Sequence, residues 1–159
     1  MGAVENTCAT VESYLSTLGE TYSTFPVNQM TLAVRPSRYE REVEHAGAGC
    51  ITVYTKVHND SKEVLHVDDA ESVELPSTTT TAVEALEPAA REAVEETVGI
   101  ECRLSGIEQA TIVGVRDAED PERTTVYSLA VVFEATHESG TVNGEAVWQS
   151  TTDLQAMYA

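Results

Sequence analysis

Positive charge is what this chain has least of. Two lysines, Lys56 and Lys62, and seven arginines stand against 27 acidic residues, for a formal charge of −18 in 159 residues. Such a surface repels a phosphate backbone at ordinary ionic strength, which excludes general nucleic-acid binding and argues against an anionic membrane. Nor does any apolar run approach the roughly 20 residues that a spanning helix needs. Cysteine is sparse: Cys8, Cys50 and Cys102 are odd in number, far apart and without a CxxC spacing, so free or buried thiols in a reducing compartment are expected. His45, His58, His66 and His137 are equally scattered and make no zinc pattern. The first residues, MGAVENTCATVESYL, lack the basic start and apolar stretch of a secretory signal, and a cytoplasmic location is expected.

What is present is enough for a core. Hydrophobic residues make up 42% of the chain, and its length suits one domain. Acidic, lysine-poor and threonine-rich usage is similar to that of proteins from salt-accumulating halophiles, where hydrated carboxylates keep a surface soluble and salt screens their repulsion. An acidic protein of an ordinary cytoplasm is the alternative.

Along the chain, Thr7 to Leu18 reads as a short amphipathic helix with Val11, Tyr14, Leu15 and Leu18 on one face, ended by Gly19. Residues 27–34 alternate like a strand, Pro36 and Ser37 open a charged helix, and AGAG reads as a flexible joint. Residues 1–45 are thus expected to be an extension and 46–159 the main domain. There, CITVYTKV and EVLHV flank HNDSK as a hairpin, SVEL is a short strand, and Pro76 leads into a polar loop, STTTT. One long helix is predicted from about Ala82 to Val98, closed by Gly99. Two long strands follow, the first interrupted at Gly106, with DAEDPER as the turn between them. AVWQS is a further strand and TTDLQAMY a last helix. The order predicts an α/β (α+β) fold, a mixed β-sheet with helices packed on its faces.

The chemistry sits in Ala85 to Ile100, ALEPAAREAVEETVGI. On a helix, Glu92, Glu95 and Glu96 lie at i, i+3 and i+4 and share one side, where like charges destabilise one another unless a cation compensates. Hard divalent ions accept such oxygen ligands together with substrate phosphates, and Arg91 can orient one glutamate. A solvated acidic face explains the same cluster in a chain so rich in Glu.

Arg91-Glu92-Ala93-Val94-Glu95-Glu96, with Gly99-Ile100 after it, resembles the core of the Nudix box, GX5EX7REUXEEXGU with U aliphatic. AGAGCITVYTKV-turn-EVLHV is similar to that family's opening hairpin. Val73-Glu74-Leu75-Pro76 resembles its W-E-L-P lead, and AVVFEAT and Ala146-Val147-Trp148 its later strands. The resemblance spans about residues 46–157. The box departs from the pattern in two places: Ser77 and Thr78 replace the glycines after L-P, and one residue too many separates Glu96 from Gly99. Two alignments follow. One sets REAVEE directly on the motif, keeping Arg91, Glu92, Glu95 and Glu96 in the family's charged positions. The other counts without gaps from Pro76 to Gly99 and keeps Glu84 and Glu96, but places Glu92 at the arginine, Ala93 at the first glutamate and Thr97 at the last.

Under the first alignment the resemblance implies a hydrolase of a nucleoside diphosphate linked to another moiety. Mg²⁺ or Mn²⁺ would be held by Glu92, Glu95 and Glu96, and Arg91 would orient a glutamate. The alternative is a Nudix-fold nucleotide-binding or regulatory module without catalysis. Trp148 is expected in the core, Arg116 and Arg123 at the polar turn, and Arg35, Arg38 and Arg41 form a cationic patch suited to a homodimer interface.

Overall fold

The computed structural model describes residues 7–22, 24–68, 73–142 and 146–149. Its elements in order are α1 (Thr7–Thr21), β1 (Val27–Val34), α2 (Pro36–Gly47), β2 (Ile51–His58), β3 (Val64–Asp68), β4 (Val73–Glu74) and β5 (Ser77–Thr80). A 3₁₀ turn (Val83–Ala85), α3 (Leu86–Val98), β6 (Glu101–Asp117), β7 (Val126–Ser139) and β8 (Ala146–Gln149) complete it. The strands form one mixed sheet in the order β1-β6-β7-β2-β3-β4, with β5 paired to β2 and β8 to β3. β1 runs parallel to β6 and β2 parallel to β7, while β6 and β7 are antiparallel. The expected mixed sheet with helices on its faces is what the chain forms.

Alternation along β2 assigns the faces. Ile51, Val53, Thr55 and Val57 are buried, and the residues between them are half-buried. On one face, Ile51, Val53, Leu129, Val131 and Phe133 pack with Val11 and Leu18 of α1 and Leu86 and Ala90 of α3. On the other, α2 lays Tyr39 against Val34, Val113, Val115, Val126 and Ala130. Trp148 packs with Val57, Leu65, Val94 and Val98, as core packing requires.

Residues 7–47 are built into this sheet. Every residue of β1 is registered with β6, from Val27↔Ala110 to Val34↔Asp117. Tyr39 Oη donates to Thr124 O at 2.6 Å, and Arg123 lies over the Tyr39 ring, 4.5 Å from its centroid, while bonding Asp117 and Glu40. Arg123 is therefore committed to a clamp between α2 and the β6–β7 turn. The AGAG segment is pinned: Gly49 takes a left-handed φ of 75°, and its carbonyl accepts the Tyr14 hydroxyl at 2.7 Å.

Other local expectations change. The first helix continues through Gly19 to Thr21, stapled there by packing of Leu18 and by the Tyr22 ring edge-on to Phe133 at 6.0 Å. Gly106 does not interrupt its strand; β6 is continuous over Glu101–Asp117, with register shifts on either side of Gly106. The STTTT loop is a strand, since Ser77 to Thr80 pair with Tyr54 to Ile51. β-Branched threonines suit that pleated edge. β2 and β3 pair only at His58↔Val64, because β2 gives its other edges to β5 and β7. The predicted helix TTDLQAMY lies outside the described residues.

Candidate active site

Helix α3 is positioned by its buried stripe. Leu86, Ala90, Ala93, Val94 and Val98 face the sheet, and the small Ala90 and Ala93 let the backbone approach it closely. Thr55 Oγ1, fully buried, donates to Ala90 O at 3.0 Å and fixes the helix over β2. At the N-terminal end Pro88 occupies the first turn, where its missing N–H costs nothing, and Glu87 accepts the Tyr22 hydroxyl at 2.6 Å. Burial and this carboxylate raise the Tyr22 pKa above its ordinary value. At the other end Gly99 adopts φ 75° and its N–H bonds Glu95 O at 2.9 Å, a left-handed cap that few residues but glycine accept.

With that stripe inward, Arg91, Glu92, Glu95 and Glu96 are all exposed. They do not share a single wall. One groove, of about 370 Å³, lies between α3 and the threonine strand β5 and is lined by Thr78, Thr79, Thr80, Ala89, Glu92, Ala93 and Glu96 among others. A second, of about 320 Å³, lies on the other flank of α3 and is lined by Arg91, Glu92, Glu95, Glu101, Cys102 and Glu138, with Pro88 at its end. Helical geometry explains the division: at about 100° per residue, Glu92 and Glu96 stand only about 40° apart, whereas Glu95 is about 100° from Glu96. Glu92 borders both grooves, Glu96 only the first, and Arg91 and Glu95 only the second.

The donor set of the first groove is two carboxylates at i and i+4, facing a row of threonines. Oxygen ligands of this kind fit a hard divalent ion that takes one or two carboxylates and completes its shell with water and phosphate. Among the described residues no group of three or more His, Cys, Asp or Glu side chains is close enough to hold a metal by itself. The second groove contains the Cys102 thiol, whose pKa burial pushes up to about 11, so it stays protonated and unreactive at neutral pH.

Two features escaped the sequence reading. The wall opposite Glu92 and Glu96 is a hydrogen-bonded strand, signalled by its run of β-branched residues. On the sheet face away from α3, Lys56 Nζ bonds Glu108 Oε1 at 2.6 Å and His58 Nε2 lies 3.7 Å from Glu134, a pairing that only the β2–β7–β6 register brings together. Arg116 is exposed on β6, and His66 is buried with Nδ1 3.0 Å from Val64 O.

No family model matches the chain, and no curated protein does. Among solved structures, it is similar to the MutT protein of Methanosarcina mazei Go1 at 21% identity and a TM-score of 0.44, covering 63% of this chain and 75% of that one. It is also similar to a NUDIX hydrolase from Nitrosomonas europaea, at 17% identity and a TM-score of 0.44, covering 63% of this chain and 71% of that one. A Sinorhizobium meliloti 1021 protein assigned as an oxidoreductase scores the same 0.44 at 15% identity, with 71% of this chain but only 35% of that one covered. With TM-scores below 0.5 and identities of 21% or less, these likenesses decide no chemistry, which rests on the chain's own residues.

Proposed function

We propose that the protein is a Nudix-type hydrolase that cleaves the diphosphate of a nucleoside diphosphate linked to another moiety, with Mg²⁺ or Mn²⁺ as cofactor. The observation that carries this reading is the groove between α3 and β5, into which the REAVEE helix presents Glu92 and Glu96. These two glutamates are the residues that would hold the ion. Bound there, it would supply charge neutralisation at the diphosphate and polarise the attacking water. Glu92 and Glu96 would also orient that water and accept its proton, and the Thr78 to Thr80 row would bound the groove against bulk solvent. Arg91, which lines the second groove with Glu92 and Glu95, would orient a glutamate there rather than touch substrate.

A second reading, a nucleotide-binding module without catalysis, is favoured by Ala93. It lies in the groove between Glu92 and Glu96, where the ungapped alignment expects a carboxylate, and the strand opposite carries threonine side chains instead of glycine.

The two readings separate in an assay of nucleoside-diphosphate derivatives in high KCl with Mg²⁺ or Mn²⁺, run beside a metal titration. The hydrolase predicts turnover that falls by about 100-fold or more in Glu92→Gln and in Glu96→Gln, with Glu95→Gln retaining most activity. Nucleotide binding without turnover on any substrate supports the module. Equal loss in Glu95→Gln and Glu96→Gln would reject the division between the two grooves.

A further inference from the structure

From Thr21 to Val34 the chain runs for fourteen residues, TYSTFPVNQMTLAV, without a charge, the longest such stretch in a sequence with 36 charged residues. Its last eight residues are β1, at the end of the sheet order and, among the described residues, bonded on one side only, to β6. Ala110 N donates to Pro26 O and Ala118 N to Val34 O, so the even-numbered residues direct their backbone groups at β6. In an extended strand the odd-numbered ones then point the other way. Val27, Gln29, Thr31 and Ala33 therefore present N–H and C=O outward, and the side chains of all four are exposed.

Exposed edges are ordinarily protected by charge, an internal proline, a bulge or a covering element. β1 has no charge and no proline, its register with β6 is unbroken, and among the described residues no strand covers its outer side. Among the described residues the exposed large hydrophobic side chain is Val27, 49% exposed, on this same strand.

We propose that the outer edge of β1 is the dimer seam of this protein, pairing antiparallel with β1 of a second copy about a two-fold axis at Met30. The charge distribution selects that occupant. Two copies at −18 each repel over nearly all their surface, and this edge is where they meet without apposing acids. On its C-terminal side the first charges are the cations Arg35 and Arg38, which the two-fold brings toward the partner, while the nearest acid before it is Glu20, seven residues ahead of β1. A two-fold at Met30 pairs Val27 with the partner's Ala33 and Gln29 with the partner's Thr31, so that all outward residues exchange hydrogen bonds. Met30 faces its own counterpart at a non-hydrogen-bonded position, where Cα atoms approach to about 4.5 Å. That face is half covered already, since Met30 and Leu32 pack against the α2 cluster.

The test is sedimentation of the full chain over a concentration series in high KCl, with light scattering as a second measure of mass. A two-chain mass is expected, with dissociation raised about tenfold or more in Thr31→Pro and in Gln29→Lys, since each removes or opposes paired groups at the seam. Gln29 is exposed, so an unchanged circular dichroism spectrum for Gln29→Lys keeps the result from being a folding defect. In a background with Cys8, Cys50 and Cys102 replaced, Met30→Cys should form an interchain disulfide on oxidation and Leu32→Cys should not. A monomer at all concentrations overturns the proposal, as does a dimer untouched by Gln29→Lys or cross-linked equally at 30 and 32.

Discussion

Asp117 shows how few residues tie α2 to the β6–β7 turn. It is buried, accepts the Glu119 N–H at 2.9 Å and receives Arg123 Nη1 at 3.1 Å. The backbone donor first, and the guanidinium next, hold its carboxyl below the ordinary value of 3.8, against the opposing effect of burial. A depressed folded pKa means stability that is fully present above the unfolded value, about pH 4, and lost as pH falls through the folded one. Asp117→Asn should therefore be less stable at neutral pH, with the difference from wild type shrinking below about pH 4. Urea midpoints across pH 3 to 7 would show a constant difference if the carboxylate were irrelevant. Thr55 makes a second residue-level case. Replacing its buried hydroxyl with the methyl of Thr55→Val deletes one hydrogen bond to Ala90 O at nearly constant shape and should cost about 1 kcal/mol. Because that bond seats the helix bearing Glu92 and Glu96, the proposed turnover should fall as well.

At the scale of elements, helix α3 depends on its end. A side chain at Gly99 would be forced into the left-handed region, so Gly99→Ala should destabilise the protein by about 1 kcal/mol in denaturant unfolding. That cap was readable from sequence, as were β1, α2, the body of α3 and β8, because each follows from local signals: hydrophobic period, Pro at a start, Gly at a stop. What could not be read is which edges meet. The threonines of β5 look like a polar loop until the free edge of β2 accepts them, and the apparent β2–β3 hairpin opens because β3 prefers β8 and β4. The site was legible to the same degree. The Arg91 to Glu96 motif was expected on a helix and lies on α3, yet the face of each glutamate depended on whether Ala93 or Val94 turned inward. Both are buried, which turns Glu95 to one flank of the helix and Glu96 to the other and leaves Ala93 on the groove.

For the whole molecule the governing quantity is charge. The described ion pairs are few: Lys56 with Glu108, Arg103 with Glu138, Arg123 with Glu40 and Asp117, and His58 beside Glu134. Nine cations cannot neutralise 27 acids, so the folded state holds together against its own field, and unfolding relieves that repulsion by separating the charges. Added salt shortens the screening length from about 10 Å at 0.1 M to about 3 Å at 1 M, which removes most of the repulsion between neighbouring surface carboxylates. The unfolding midpoint should accordingly rise with KCl most steeply below about 1 M and flatten beyond it. Exposed acids away from the grooves, Glu12, Glu44, Glu119 and Glu122, offer the control. Changing all four to glutamine should raise stability at 0.1 M KCl and reduce the slope with salt, while leaving unaltered any metal titration at the proposed Glu92 and Glu96 site. If the quadruple variant keeps the full salt dependence, ion-specific hydration of the surface rather than screening sustains the fold. The steepest rise would then come at molar salt instead of below it.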